Sequence, residues 1–250
     1  MTSRGAALVT GAGRRIGQVL ALEAARAGYD VAIHYRASAD EAEATARAVE
    51  DLGRRARLVR ADLADEDQTR SLVAQAAPLG PLTLLINNAS AFEDDRVGGL
   101  SRATWDRHLE TNLRAPIVLA EAMAGALPDD RHGLVVNLID QRVWRPNPQF
   151  FSYTLSKAGL WWATQTLAQA LAPRIRVNAI GPGPTLPSVH QAPGEFEAEA
   201  AGVLLQRRAS PEEVAAALRY LIDASSVTGQ MIAVDGGQHL GWKTPDIVAP

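Results

Sequence analysis

Short apolar runs alternate along the chain with longer segments of helical periodicity. The runs are Ala6 to Thr10, Val31 to His34, Arg57 to Arg60, Leu82 to Asn87, Leu134 to Leu138, Ile175 to Ala179 and Met231 to Val234. They predict seven strands, because a short and nearly continuous apolar run is what a strand shows when both faces of its sheet are covered. Between them, Gln18 to Ala27, Glu41 to Leu52, Leu119 to Leu127, Leu155 to Leu171 and Glu212 to Ile222 repeat apolar residues at helical spacing. This alternation predicts βαβ units, and with them an α/β, Rossmann-like, doubly wound sheet of seven parallel strands with helices on both faces.

No internal repeat, low-complexity tract or Gly/Ser linker divides the 250 residues, and a one-domain α/β sheet accommodates that length. A single domain over residues 1–250 is expected. One stretch is irregular: Gly181 to Gly194, which carries Pro182, Pro184, Pro187 and Pro193 and follows the sixth strand. Loops leaving the carboxyl ends of parallel strands line the ligand crevice. The segment around 184–202 is therefore a candidate substrate loop, with a disordered surface loop as the competing reading.

Composition narrows the classes. Hydrophobic residues make up 47% and charged residues 21%, enough for a sizeable core, yet no stretch is long and apolar enough to span a bilayer. A formal charge of −3 offers no global basic field for nucleic acid or an anionic membrane. There is no cysteine, which removes disulfides, thiolate metal sites and a cysteine nucleophile. His108, His132, His190 and His239 form no ligand-spaced cluster, so no metal is expected. Met1-Thr2-Ser3-Arg4 runs directly into an apolar segment, leaving no room for a signal peptide, and a cytoplasmic location is expected.

The first strand leads into Thr10-Gly11-Ala12-Gly13-Arg14-Arg15-Ile16-Gly17. Glycines between a first strand and a first helix let the backbone approach a pyrophosphate resting on the helix N-terminus. A dinucleotide site holding NAD usually has Asp or Glu at the end of the second strand, on the ribose 2′-hydroxyl. Here that place reads His34-Tyr35-Arg36-Ala37-Ser38. With no acid there, and with Arg14, Arg36 and Ser38 available to a phosphate, NADPH is favoured over NADH. Ser38 also reads as a helix N-cap with Glu41 completing a capping box. Asp62 after the third strand is a candidate adenine contact or an ordinary turn aspartate.

Tyr153 and Lys157 are four residues apart, hence on one face of a helix. Asp140 precedes that pair. An ionised carboxylate only accepts hydrogen bonds, so Asp140 suits a substrate rich in N–H groups or a reaction needing a relayed proton. Its charge would raise the Tyr153 pKa, while the Lys157 ammonium would lower it.

Together with Asn87-Asn88-Ala89, Asn112, Pro182-Gly183 and Asp235-Gly236-Gly237, these motifs occur in the order seen in short-chain dehydrogenase/reductases, and the chain resembles that family over almost its whole length. Within it, the closer resemblance is to pteridine reductases and bacterial dihydromonapterin reductases. Arg15 in place of a family glycine, His34-Tyr35, Asn87 to Phe92 and Asp140 in the place of a serine carry that likeness. The resemblance implies that Tyr153 donates a proton, that Lys157 holds the nicotinamide ribose, that Asp140 holds the pterin and relays protons, and that Asn112 supports the proton path. It also implies that Arg15 touches pyrophosphate and substrate, that Phe92 stacks the pterin and that Ser90 bonds beside it. Ile16, Leu63, Asn88, Ala89, Pro182 and Gly183 would complete the cofactor site. A homotetramer is implied too.

Plainer readings compete. Asp140 as a solvated partner of Arg142 or Arg145, Phe92 as loop packing, Trp161 and Trp162 as packing or subunit contacts, and Arg54, Arg55 and Arg57 as a solvated turn are all compatible with the sequence. Three functions follow: NADPH-dependent reduction of a dihydropterin to tetrahydropterin, with oxidised pterin or dihydrofolate as further substrates; NADPH-dependent ketone reduction; and non-catalytic dinucleotide sensing. The intact Tyr153, Lys157 and Asn112 weigh against the last.

Overall fold

The computed structural model describes residues 3–188 and 190–242. Seven strands, β1 (Ala6–Val9), β2 (Asp30–Tyr35), β3 (Ala56–Arg60), β4 (Leu82–Asn87), β5 (Gly133–Leu138), β6 (Ile175–Pro182) and β7 (Met231–Val234), form one sheet. All neighbours pair in parallel, in the order β3-β2-β1-β4-β5-β6-β7. The expected doubly wound sheet is present. Strand order reverses between β1 and β4, and the crevice opposite their carboxyl ends is where such sheets take ligands.

The helices among the described residues are α1 (Arg15–Arg26), α2 (Ala39–Asp51), α3 (Glu66–Ala76), α4 (Arg102–Leu109), α5 (Ala115–Ala126), α6 (Phe151–Leu171), α7 (Glu195–Gly202) and α8 (Pro211–Asp223). Side chains alternate across a strand, so β1 sends Ala7 and Val9 to one face and Ala6 and Leu8 to the other. The first face packs against Leu20 of α1 and Leu218 of α8, the second against Leu72 of α3, Leu119 and Met123 of α5 and Ala168 of α6. Burial on both faces is why β1, β2, β4 and β5 read as apolar runs, whereas the edge strand β3 is only partly covered.

Four expectations need correction. Ser38 precedes α2 but makes no side-chain cap, and the Ser/Glu box occurs instead at α8, where Glu213 N donates to Ser210 Oγ at 3.2 Å and Ser210 N donates to Glu213 at 2.8 Å. Arg54 and Arg55 are not simply a solvated turn: both pair with buried Asp30 at 3.0 Å, and the Arg54 side chain is 11% exposed. The segment 184–202 is not all loop, because its acidic, alanine-rich second half folds as α7. Finally, α6 begins four residues before the Leu155 expected from periodicity, which puts Tyr153 in its first turn.

Candidate active site

The glycine turn between β1 and α1 is braced from two sides. Asn88, just after β4, donates from Nδ2 to Thr10 O at 2.9 Å and to Gly11 O at 3.2 Å. From the other side the buried His34 ring accepts the Gly11 amide proton on Nδ1 at 3.0 Å, while its Nε2–H donates to Ala61 O at 3.2 Å. The bond from Gly11 needs a neutral ring, since a protonated Nδ1 cannot accept, and burial lowers the ring's pKa to about 4. Gly17 faces the turn so closely that an added Cβ would lie 2.1 Å from Gly11 O, so the helix start admits no side chain there.

Arg15 opens α1 with φ of 56°, a left-handed conformation in which glycine would be unstrained. Its guanidinium reaches across the crevice to Pro187 O at 3.0 Å and Leu186 O at 3.3 Å, tying the segment after β6 to the glycine turn. Arg14 and Arg36 stand exposed at the rim, and among the described residues neither side chain has an ion-pair or hydrogen-bond partner.

These elements wall a cleft of about 700 Å³. Of the expected cofactor residues it is lined by Gly11, Arg14, Arg15, Ile16, Gly17, His34, Tyr35, Arg36, Ser38, Asp62, Leu63, Asn88, Ala89 and Ser90, and Phe92 lines it too. Gly13 lies behind this wall, against Ser38 Oγ. Pro182 and Gly183 stand apart from it at the end of β6, where Gly183 N donates to Val234 O at 3.1 Å. Asp62 lines the cleft and accepts the Ala64 amide at 3.1 Å as a turn aspartate.

Beyond Phe92, and outside the residues that line this cleft, Tyr153 OH donates to Asp140 Oδ2 at 2.9 Å. The other oxygen of Asp140 accepts the backbone amide of Arg142 at 2.9 Å, which starts a 3₁₀ turn over Gln141–Val143. The Arg142 guanidinium turns away to Asn147 at 3.0 Å and that of Arg145 to Gln238 O at 2.9 Å, so Asp140 is no solvated ion-pair partner of either. Lys157 donates to Leu138 O at 2.8 Å, with its Nζ 5.8 Å from the Tyr153 ring centre. Burial drives the electrostatics: it raises the Asp140 carboxyl above its usual range and lowers the Lys157 ammonium to about 8. The Tyr153 phenol is pushed well above its ordinary value by burial and then by the Asp140 charge. Of the two opposing influences expected on Tyr153, the carboxylate prevails.

Asn112 occupies a π turn, Glu110–Arg114, between α4 and α5. Its Oδ1 accepts the Ala91 amide at 2.7 Å, and its Nδ2 donates to Ala91 O at 2.9 Å and Ser156 Oγ at 3.1 Å. Ser90 Oγ also reaches Asn112 Oδ1, at 3.3 Å. Asn112 thus joins the segment after β4 to the helix carrying Tyr153.

Phe92 meets the Tyr153 ring edge-on at 4.7 Å and stacks on Phe150 at 4.2 Å and 9°. Phe150 holds φ of 52° immediately before α6. His190 closes this cluster, with Nε2 bonded to Phe92 O at 2.9 Å and its ring 5.6 Å from both phenylalanines. Sequence reasoning missed Phe150 and His190, since neither belongs to a local motif. Trp161 packs edge-on to Trp144 at 6.2 Å, whereas Trp162 is 67% exposed.

A family model described as enoyl-(acyl carrier protein) reductase matches residues 11–239. The chain belongs to the short-chain dehydrogenase/reductase family. The FolM alternative dihydrofolate reductase 1 of Brucella canis, crystallised with NADP, is 55% identical, with a TM-score of 0.94 and 99% of each chain covered. A short-chain dehydrogenase of Burkholderia cenocepacia, also with NADP, is 35% identical with a TM-score of 0.88, over 94% of this chain and 98% of that one. Among curated proteins, the 3-oxoacyl-[acyl-carrier-protein] reductase FabG of Staphylococcus epidermidis is 30% identical over 240 residues, 94% of this chain and 98% of that protein.

Proposed function

We propose that this protein is an NADPH-dependent pterin reductase that converts a dihydropterin to the tetrahydropterin, with dihydrofolate or oxidised pterin as further substrates. The observation that carries the reading is the Asp140–Tyr153 hydrogen bond of 2.9 Å beside the Phe92 ring. It puts an acceptor and an acid at one edge of a flat aromatic surface, which suits a planar heterocycle bearing N–H groups. The Brucella canis relative supports it.

The residues fit a 2′-phosphorylated dinucleotide. The glycine turn is shaped for close backbone approach, no acid stands in Tyr35 to Ser38, and Arg14 and Arg36 present guanidinium groups at the rim that are unpaired among the described residues. NADPH, when bound, supplies the hydride. The α1 N-terminus and Arg15 hold the pyrophosphate, Lys157 the nicotinamide ribose, and Arg36, Ser38 and Arg14 the phosphate.

Asp140 orients the heterocycle by accepting from its N–H groups, and burial, which raises the carboxyl's affinity for a proton, suits it to a relay. Tyr153 passes its phenolic proton to the ring nitrogen and is reprotonated through Asp140. Asn112 keeps the Ala91 segment registered on α6, so that Phe92 and Tyr153 present the ring at a fixed separation. Arg15, bonded to the loop at Leu186 and Pro187, covers the site from the front.

The FabG relative favours a second reading, reduction of a ketone, in which Asp140 stands in for a serine. Oxidation of NADPH with a dihydropterin panel against a ketone and keto-ester panel separates the two, and turnover of ketones alone would refute pterin reduction. No helix among the described residues is long and apolar enough to cross a membrane, and a cytoplasmic location is part of the proposal. So is a homotetramer, for which the exposed Leu155 and Trp162 of α6 offer an apolar face.

A further inference from the structure

The helix carrying Tyr153 lacks a local cap. Phe150, in the capping place, is left-handed and supplies no side-chain hydrogen bond. First-turn amides of a helix need acceptors from elsewhere when they are buried. Here they come from the segment after β4, more than fifty residues away: Phe151 N donates to Asp95 O at 3.1 Å, and Ser152 N to Asp95 Oδ1 at 3.0 Å. The carboxylate is also well placed against the positive end of the helix dipole.

The chain of bonds continues inward. Ser152 Oγ donates to Asp95 Oδ2 and receives the Nδ1–H of His108, 2.7 Å away. The opposite ring nitrogen, Nε2, accepts the Glu93 amide at 3.0 Å. Asp95, Ser152 and His108 are all buried. The proton assignment is forced in every position. A backbone amide can only donate, so Nε2 carries no proton; Nδ1 therefore does, and the serine hydroxyl hands its single proton to the carboxylate. The His108 ring lies 6.1 Å from that of Tyr153, edge to face.

The geometry points to a buried clamp, Asp95–Ser152–His108, that fixes the Phe92-bearing segment on the first turn of α6. It sets the separation of Phe92 from Tyr153 and makes His108 a positioning residue for the substrate ring. Glu93 and Asp95 on the clamped segment, Arg107 on α4 and Lys157 on α6 are the charged groups that face His108. A second proton on the ring would oppose Nε2–H to the Glu93 N–H and open the clamp. The substrate part of this inference rests on the pterin reading; the clamp itself does not.

Two readouts on the full-length protein test it. The first is amide hydrogen exchange of residues 91–97 in wild type, His108→Phe, His108→Gln and Ser152→Ala, with β1 and β4 as internal references. His108→Phe keeps the ring shape without its polar atoms, so exchange of this segment should rise about tenfold, the ratio that one lost hydrogen bond gives, while β1 and β4 stay protected. Ser152→Ala should show the same local signature. His108→Gln, which retains an acceptor, should restore most of the protection.

The second readout is steady-state turnover of dihydrobiopterin with saturating NADPH. His108→Phe should raise KM about tenfold, by the same lost bond, with kcat changed far less, and His108→Gln should recover it. Unchanged exchange at 91–97 in His108→Phe would overturn the clamp. Equal falls in kcat and kcat/KM without recovery by glutamine would overturn the positioning role. Should wild type reduce no dihydropterin, the pterin reading falls, while the exchange measurement still decides the clamp.

Discussion

Acidification should loosen the dinucleotide turn through one residue, His34. Its ring bridges Gly11 N and Ala61 O only when neutral, and its pKa falls to about 4 in the fold, from an ordinary 6.5. A group whose folded pKa is depressed because its charged form is excluded binds fewer protons folded than unfolded. Its contribution is therefore complete above about pH 6.5 and is lost as pH falls toward about 4. At about pH 5 the unfolded ring is nearly all protonated and the folded ring nearly all neutral, which gives a loss of about 2 kcal/mol relative to about pH 8. For a chain of this size that is about 4–8 °C in Tm. The comparison is His34→Asn, whose Oδ1 can still accept from Gly11 but does not titrate. Thermal unfolding of both proteins across this range should show the wild-type Tm falling more steeply, by roughly that margin. Parallel pH curves would show that His34 is not held neutral and that the bridging geometry is wrong.

Three further outcomes follow from the site. Arg15 sits at φ of 56°, so Arg15→Gly should stabilise the apo protein by about 1 kcal/mol, seen as a higher Tm, while weakening substrate and NADPH binding. Arg36→Ala should weaken NADPH by about tenfold or more and leave NADH nearly unchanged, by titration of each cofactor; equal loss for both would remove Arg36 from the 2′-phosphate. Tyr153→Phe should abolish turnover while retaining NADPH affinity, and residual activity close to wild type would remove the phenol from the proton path.

Much of this was legible in the sequence because it is local. The strands announce themselves through burial on both faces, the glycine turn sits where β1 meets α1, and Tyr153 and Lys157 are one helical turn apart. What was hidden depends on contacts between distant segments. His34 occupies the place of a cofactor contact, yet its ring points inward to brace Gly11. The start of α6 carries no capping residue, because Asp95 caps it from fifty-seven residues away. His108, set aside for lack of ligand spacing, makes its bonds to Ser152 and Glu93, and no periodic pattern encodes those. Arg54 and Arg55 looked solvated because their partner, Asp30, lies some twenty-five residues away at the start of β2.

The central claim is that Asp140 addresses ring nitrogens and not a carbonyl. A crystal structure of the protein with NADP and a non-reducible pterin analogue tests it most directly. The analogue should lie beside Phe92, with the Asp140 carboxylate within hydrogen-bond distance of its N–H groups and Tyr153 OH still paired to Asp140. An analogue bound with Asp140 turned away from the heterocycle, or one that fails to bind while a keto-ester occupies the same pocket, would contradict it.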